Sequence, residues 1–317
     1  MRVESRLLSL LAARASSSKL GLFSCWLYCA VALATYAIAL APAANGQTTT
    51  ATIAAGSMPY SVAVNPVTNK IYVANNNSGN ITIIDGSTNS TTTVATGTNP
   101  VAVAVNPVTN KIYVANGGSA NVTVIDGATN GTTTAAAGSG PSSVAVNPAT
   151  NKIYVANTLD NTVTVIDGVT NTTATVAAGT NPDSVAVNPV TNKIYVANYG
   201  SANVSFIDGA TNCTTTAASG TIPGSVAVNA VTNKIYVANF SSNNVTVIDG
   251  ATNSTTTVAA GAEPISVAVN AVTNEIFVAN FGNNTVTAID GATNSTTTVA
   301  DGSAPYSVAV NAVTNEI

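Results

Sequence analysis

A segment of twelve residues, V-N-P-V-T-N-K-I-Y-V-A-N at Val64–Asn75, returns nearly letter for letter every 41 residues along the chain. A second marker, I-D-G-x-T-N, follows it with the same spacing. A fixed period of this length is typical of repeat architectures, in which one unit cannot bury its apolar faces alone and must stack on its neighbours. The 317 residues therefore predict one continuous repeat domain rather than two separate domains.

The residues before the repeat have the pattern of an export signal. Arg2, Arg6 and Arg14 precede an uncharged, mostly apolar run, Leu20–Ala41, and small residues follow it. This order predicts a secretory signal peptide over residues 1–46, with no membrane span after cleavage. The run is also about as long as a membrane span needs to be, roughly 20 residues, so an uncleaved signal anchor is the alternative. Both readings predict a secreted, periplasmic or cell-surface protein.

The charged residues are few and unusual in kind. They make up 7% of the chain, against roughly 25% in an average globular protein. Beyond residue 46 there are five lysines, twelve acidic residues, and neither arginine nor histidine. Nucleic-acid binding needs clustered basic side chains, so we expect no such partner. Without histidine, Ser-His-Asp triads and histidine-ligated metal sites are excluded, and we expect no enzymatic activity, cofactor or metal.

Each unit contains four short segments rich in β-branched and aromatic residues, separated by clusters of Asn, Gly and Pro. In the first unit they are Ser61–Val64, Lys70–Ala74, Ile81–Ile84 and Thr91–Ala95, and we name them strands A, B, C and D. Such alternation is typical of strands and tight turns. Four antiparallel strands in about 41 residues, repeated around an axis, predict an all-β fold, a β-propeller of four-stranded blades.

The repeat also resembles a known family. From about Thr48 onward the chain is similar to the YVTN family of β-propeller repeat proteins, through Val64–Asn75, Val122–Asn130 and their copies. It departs at the third letter of the YVTN tetrad, where Ala74 replaces threonine. The resemblance implies a YVTN-type propeller over residues 47–317, on a secreted or surface-displayed bacterial or archaeal protein. For most members of the family it implies no defined activity.

The two ends of the repeat predict the number of blades. Thr49–Gly56 aligns with the D strand of the next unit, so the mature chain is expected to begin with a lone D strand. Six complete units follow, and Ser307–Asn311 begins another A strand before the chain stops at Ile317, inside strand B. We therefore expect six complete blades and an incomplete seventh, that is, a propeller domain truncated at its carboxyl terminus.

The most regular polar columns are interpreted as structural. An aspartate opens every D-G turn, where its carboxylate can accept backbone N–H bonds. Lys70 and its copies share a column with Glu275 and Glu316, which predicts a solvated face because either charge is accepted. The predicted turn aspartates are Asp85, Asp126, Asp167, Asp208, Asp249 and Asp290.

Variation between the copies is concentrated on one side. Strand direction alternates, so the A–B and C–D turns share one face, and the B–C and D–A loops share the other, here called the variable face. Constant strands that carry variable loops are typical of binding proteins, although drift in surface loops explains the variation equally well. The candidate ligand-binding residues, aromatic or acidic, are Tyr60, Asp160, Asp183, Tyr199, Phe240, Glu263, Phe281, Asp301 and Tyr306.

These observations favour a secreted, non-enzymatic propeller that binds a protein or carbohydrate at the cell surface through the variable face. Exposed aromatic rings beside carboxylates suit a sugar, a cationic peptide or a divalent ion. Two alternatives stay open. One is a propeller enzyme of the lyase or quinoprotein-like type, with acids along the central channel, and the other is a self-associating surface-layer component.

Overall fold

The computed structural model describes residues 51–317, which form 24 strands in six antiparallel four-stranded sheets, here called blades 1 to 6. Blades 1 to 3 contain β1 (Pro59–Asn65), β2 (Lys70–Asn75), β3 (Asn80–Asp85), β4 (Thr91–Ala95), β5 (Pro100–Asn106), β6 (Lys111–Asn116), β7 (Asn121–Asp126), β8 (Thr132–Ala136), β9 (Pro141–Asn147), β10 (Lys152–Asn157), β11 (Thr162–Asp167) and β12 (Thr173–Ala177). Blades 4 to 6 contain β13 (Pro182–Asn188), β14 (Lys193–Asn198), β15 (Asn203–Asp208), β16 (Thr214–Ala218), β17 (Pro223–Asn229), β18 (Lys234–Asn239), β19 (Asn244–Asp249), β20 (Thr255–Ala259), β21 (Pro264–Asn270), β22 (Glu275–Asn280), β23 (Thr285–Asp290) and β24 (Thr296–Ala300).

The prediction of a propeller with four-stranded blades is confirmed. Within each blade the strands pair in chain order, and they correspond to the expected strands A to D. The predicted signal peptide or anchor, residues 1–46, lies outside the described residues. In the described part, no helix is long and apolar enough to cross a membrane.

The hydrophobic core lies between the blades rather than within them. Tyr72, Ile81 and Val94 of blade 1 pack against residues of blade 2 such as Val103 and Ile112. The same arrangement recurs at the next four junctions. A four-stranded sheet that is apolar on both faces can be buried only by a neighbour on each side. This requirement explains why strands B and C are apolar at consecutive positions.

Asparagine side chains connect successive blades at the A–B turns. The Oδ1 atom of Asn106 accepts the N–H of Val108 at 3.0 Å, and its Nδ2 atom donates to Oδ1 of Asn151 in the next blade at 2.8 Å. Asn151 has a φ angle of 53°, which asparagine tolerates better than most residues. The V-N-P-V-T-N segment is therefore both a turn and a link between blades.

The lysine column is not the solvated face that was predicted, and that prediction is wrong. Lys111 is half-buried, and its Nζ atom donates to the carbonyl oxygen of Gly168 in the next blade at 2.8 Å. Lys152 makes the same bond to Gly209 at 2.8 Å. A long side chain with a terminal donor reaches across the junction, whereas Glu275, in the same column of blade 6, carries no donor.

The chain after blade 6 begins a seventh blade position. Val308 donates its N–H to Oγ of Ser266, and Asn270 donates to Oδ1 of Asn315, as at the earlier junctions. This segment forms only an isolated bridge, and beside it is a cleft of about 380 Å³. The blades on either side of this position have exposed apolar residues: Val62 of blade 1 is 63% exposed and Val299 of blade 6 is 59% exposed. Val103, the equivalent of Val62 in blade 2, is only 8% exposed.

The expected amino-terminal D strand is not observed. Residues 51–58 contain no strand, and the first residues of Thr49–Ala55 lie outside the described part. A D strand hydrogen-bonds to strand C of its own blade, and the seventh position has no strand C among the described residues. Gly56 is nevertheless attached to blade 1, because its N–H donates to Oδ1 of Asn75 at 3.0 Å.

Candidate binding pocket at the variable face

Every blade begins with a β-bulge in strand A, immediately after its proline. In blade 1 the register moves from Pro59 opposite Asn75 to Ser61 opposite Ala74, so that Tyr60 has no partner. A bulge inserts an unpaired residue and changes the direction of its side chain. The bulged residues, followed by the equivalent residue after blade 6, are Tyr60, Val101, Ser142, Asp183, Gly224, Ile265 and Tyr306.

Four of these bulge-position residues and Tyr306 line one pocket of about 450 Å³, here called the axial pocket, together with B–C loop residues and serines of strand A. Ligand pockets range from about 300 to 1,000 Å³, so a small molecule or one extended side chain fits. The complete lining is Tyr60, Asp183, Tyr199, Gly224, Ser225, Phe240, Ile265, Ser266, Tyr306 and Ser307.

Two regular features of the repeat position the side chains of the pocket. The B–C loops hydrogen-bond to the D–A loops, as where the N–H of Tyr199 donates to the carbonyl oxygen of Asn181 at 3.0 Å. The N–H of Phe240 donates in the same way to Ile222 at 2.9 Å. Both loops of a blade are therefore held at one end of the strands, and the aromatic residue that follows strand B lies beside the bulge.

Asp183 carries the charge of the axial pocket, since the other lining residues are neutral. Burial raises the pKa of its carboxyl group. Within residues 51–317 the carboxylate accepts no hydrogen bond, and its Oδ2 atom lies 3.9 Å from the place where a Cβ at Gly224 would be. The pKa of the Tyr60 hydroxyl is also raised, first by burial, then by the neighbouring Tyr306 hydroxyl and by the charge of Asp183.

Five of the nine predicted ligand-binding residues meet in this pocket. They are Tyr60, Asp183, Tyr199, Phe240 and Tyr306. A sixth, Phe281, is adjacent to the pocket, because its ring packs edge to face against Tyr306 with the ring centroids 6.4 Å apart.

The other three candidates lie outside the axial pocket. Asp160 accepts the N–H of Ser139 at 2.7 Å, a bond that serine hydroxyls provide in other blades. Glu263 has a φ angle of 53° and lies beside Gly282. Asp301 is exposed and borders the cleft of the seventh blade position.

Three serines of the pocket were not among the predicted residues. Ser225, Ser266 and Ser307 occupy a column in which serine is common, so a search for variation between copies does not find them. Ser225 Oγ also accepts the N–H of Val267 from the neighbouring blade at 3.3 Å. These hydroxyls belong to the scaffold and to the pocket at once, and only the position of the bulge beside them could have indicated the second role.

The turn aspartates lie at the opposite end of the blades. In Asp126, Oδ1 accepts the N–H of Thr129 and that of Ala128, each at 2.9 Å. These bonds lower the pKa of its carboxyl group, the bond from Thr129 contributing most. The other five aspartates of the column also have lowered pKa values and bonds of the same kind.

The blades and the axial pocket define a class of protein, a β-propeller with a concave site at one end of its axis. One solved structure with this fold is that of Kuenenia stuttgartiensis hydrazine synthase, with a TM-score of 0.69 and 20% sequence identity over 84% of this chain and 94% of that chain. At this identity the likeness shows the fold alone. A search of the curated proteins found no match to the chain.

The family of the chain is shown by a match between its sequence and a protein-family model. Residues 101–302, well over half of the chain, match the model of the choice-of-anchor I domain. The chain belongs to this family. Its membership implies a secreted protein that is anchored at the cell surface.

Proposed function

We propose that the chain is a non-enzymatic binding module at the cell surface, built on YVTN-type repeats, which holds its ligand in the axial pocket of the variable face. One observation carries the proposal. Aromatic residues from three blades and from the segment after blade 6 surround a single carboxylate, on a scaffold whose other columns scarcely change between blades.

The arrangement of the pocket supports binding over drift. Tyr60, Tyr199 and Tyr306 are each about half exposed or more, and they lie around one cavity rather than scattered over the surface. Large apolar groups that converge with a few polar groups in a concave site are typical of ligand recognition. The three tyrosines also occupy bulge and loop positions, at which the residue type changes from one repeat to the next.

The composition of the pocket favours binding over catalysis. General acid–base catalysis commonly uses two titratable groups with different pKa values. The axial pocket offers one carboxylate and three phenols, and the chain contains no histidine. The Oγ atoms of Ser225 and Ser266 accept backbone N–H groups, and among the described residues neither hydroxyl bonds to Asp183, so an activated nucleophile is not formed.

The test is a glycan and peptide array probed with the purified protein, in the wild-type form and as the double variant Tyr199→Ala/Phe240→Ala. We expect the double variant to lose at least tenfold in affinity for any ligand found, because it removes two of the aromatic walls. The thermal midpoint should change by only a few degrees, since both residues lie in surface loops.

The matched control is Val108→Ala/Val190→Ala, on the opposite face. These valines lie in A–B turns and are 74% and 75% exposed. The control should bind as the wild type does. Loss of binding in the control, with retention in the double variant, would place the site on the other face and overturn the proposal.

A second candidate function is self-association, and the cleft of the seventh blade position supports it. Val62, Val64 and Val299 are all more than half exposed, whereas the equivalent valines at the complete junctions are buried or half-buried. Apolar sheet faces and unpaired strands favour association between chains. Sedimentation of the purified protein over a range of concentrations tests this candidate independently of the array.

A further inference from the structure

We infer that the axial pocket binds an organic cation, with its positive group against Asp183 and its carbon atoms against the surrounding aromatic rings. This inference rests on the proposed function and names the ligand class for the same site. It begins from the one charged side chain of the pocket and from the groups that surround it.

The carboxylate of Asp183 has no compensating partner in the described part of the chain. It is half-buried, accepts no hydrogen bond there, lies beside Gly224 and shares the pocket with three tyrosines. A carboxylate taken out of water without a partner is unfavourable, and the cost disappears when a cation binds beside it. The pocket therefore carries one negative charge, which a bound cation would neutralise.

The lysines of the scaffold do not provide that charge. The Nζ atoms of Lys70, Lys111, Lys152, Lys193 and Lys234 donate to glycine carbonyl oxygens in the C–D turns, at the other end of the blades. Acidic residues, in contrast, occur on the variable face outside the pocket, at Asp160 and Glu263. The local field at the pocket therefore attracts a cation from solution.

The aromatic residues indicate an organic cation in particular. Tyr60, Tyr199, Phe240 and Tyr306 line the pocket, and Phe281 packs against Tyr306. A cation close to the face of an aromatic ring is attracted by the ring, by about 0.5 to 2 kcal/mol. Alkylammonium and guanidinium groups also bring carbon surface that aromatic walls can cover.

A metal ion is a poorer fit to the same residues. Calcium takes six to eight oxygen ligands, commonly with several carboxylates. The axial pocket supplies one carboxylate, and within the described residues no three acidic, cysteine or histidine side chains come together to hold an ion. The cavity, about 450 Å³, is also far larger than a single ion.

The experiment is calorimetric titration of the full protein with three cations: choline, lysine amide and arginine amide. The neutral isostere of choline, in which carbon replaces nitrogen, is the ligand control. We expect at least one cation to bind with a dissociation constant at or below about 1 mM, and the neutral isostere to bind at least tenfold more weakly than choline where choline binds.

Two variants separate the role of Asp183 from general charge effects. Asp183→Asn keeps the size of the side chain and should weaken cation binding at least tenfold. Glu263→Gln removes an acid on the same face but outside the pocket, and should change the affinity by less than about twofold, because a more distant surface charge is screened by salt. Circular dichroism and the thermal midpoint establish that both variants are folded.

The inference is overturned if none of the three cations binds, or if Asp183→Asn binds them as well as the wild type does. The array result is independent of this outcome. Suppose that a neutral sugar binds in the array and that Tyr199→Ala/Phe240→Ala no longer binds it. The axial pocket would then still be the binding site, and only the inference of a cationic ligand would be contradicted. If the array gives no ligand but the cations bind and depend on Asp183, the result supports both the axial pocket as a binding site and the organic cation as its ligand.

Discussion

At the scale of single residues, the side chain most relevant to function is also unfavourable for folding. Burial raises the pKa of the Asp183 carboxyl group above its ordinary value, which means that its ionised form is less stable in the folded chain than in water. The loss of stability is present at neutral pH and disappears as the pH falls below the ordinary pKa of an aspartate, because the group is then protonated in both states. Functional sites commonly reduce stability in this way.

We therefore predict that Asp183→Asn increases the free energy of unfolding at pH 7 and leaves it nearly unchanged at pH 3. Asparagine has the same shape and carries no charge to desolvate. Urea denaturation of both proteins at the two pH values measures the difference. Equal stability of variant and wild type at pH 7 would show that the carboxylate is already compensated without a ligand.

At the scale of elements, the C–D hairpin depends on an exposed carboxylate that is bonded to its own turn. Hydrogen bonds from the second and third residues after each aspartate lower the pKa of its carboxyl group, as for Asp126 and Asp208. A lowered folded-state pKa contributes stability that is present above the ordinary pKa and is lost as the pH falls through the folded-state value. Six turns share this dependence, so their small effects accumulate.

The corresponding prediction is that the thermal midpoint falls between pH 5 and pH 2, and falls less in a variant with asparagine at all six turn positions. Asparagine keeps the accepting Oδ1 atom but does not titrate in this range. Thermal unfolding monitored by circular dichroism, at intervals of about one pH unit, provides the measurement. Parallel curves for the two proteins would assign the acid sensitivity to other carboxyl groups.

At the scale of the whole molecule, the seventh blade position determines how completely the apolar faces are covered. The segment after blade 6 reproduces the inner contacts of a blade through Val308 and Asn315. It leaves Val62, Val64 and Val299 exposed, where the equivalent valines of complete junctions are mostly buried. Covering a valine fully contributes about 1.5 to 3 kcal/mol, so burial of these three side chains would increase the free energy of unfolding.

Extension of the chain beyond Ile317 with a copy of Tyr236–Asp249 should therefore raise the thermal midpoint by at least about 5 °C and reduce association. The copy supplies the rest of strand B and strand C, which would cover both sides of the cleft. Scanning calorimetry and sedimentation are the measurements. An extension of equal length with serine at its apolar positions is the control, and equal effects of the two extensions would contradict a seventh blade position.

The sequence by itself determined the period, the strands and the turns. β-Branched residues, prolines and asparagines act within a few positions of the chain, so their effect on the backbone can be read locally. The variable face also followed from strand direction alone. The roles of the lysines did not, because the carbonyl oxygen that Lys111 reaches belongs to Gly168, in another blade.

Only the tertiary structure decided which variable residues form a site. Tyr60, Asp183 and Tyr306 belong to different repeats, and they meet because the blades are arranged around an axis. Asp160 and Glu263 have the same chemistry and the same face, yet they lie outside the pocket, since they occupy neither the bulge of strand A nor the position directly after strand B. Strand formation depends on neighbours in the chain, whereas convergence depends on the number and twist of the blades, which no single repeat encodes.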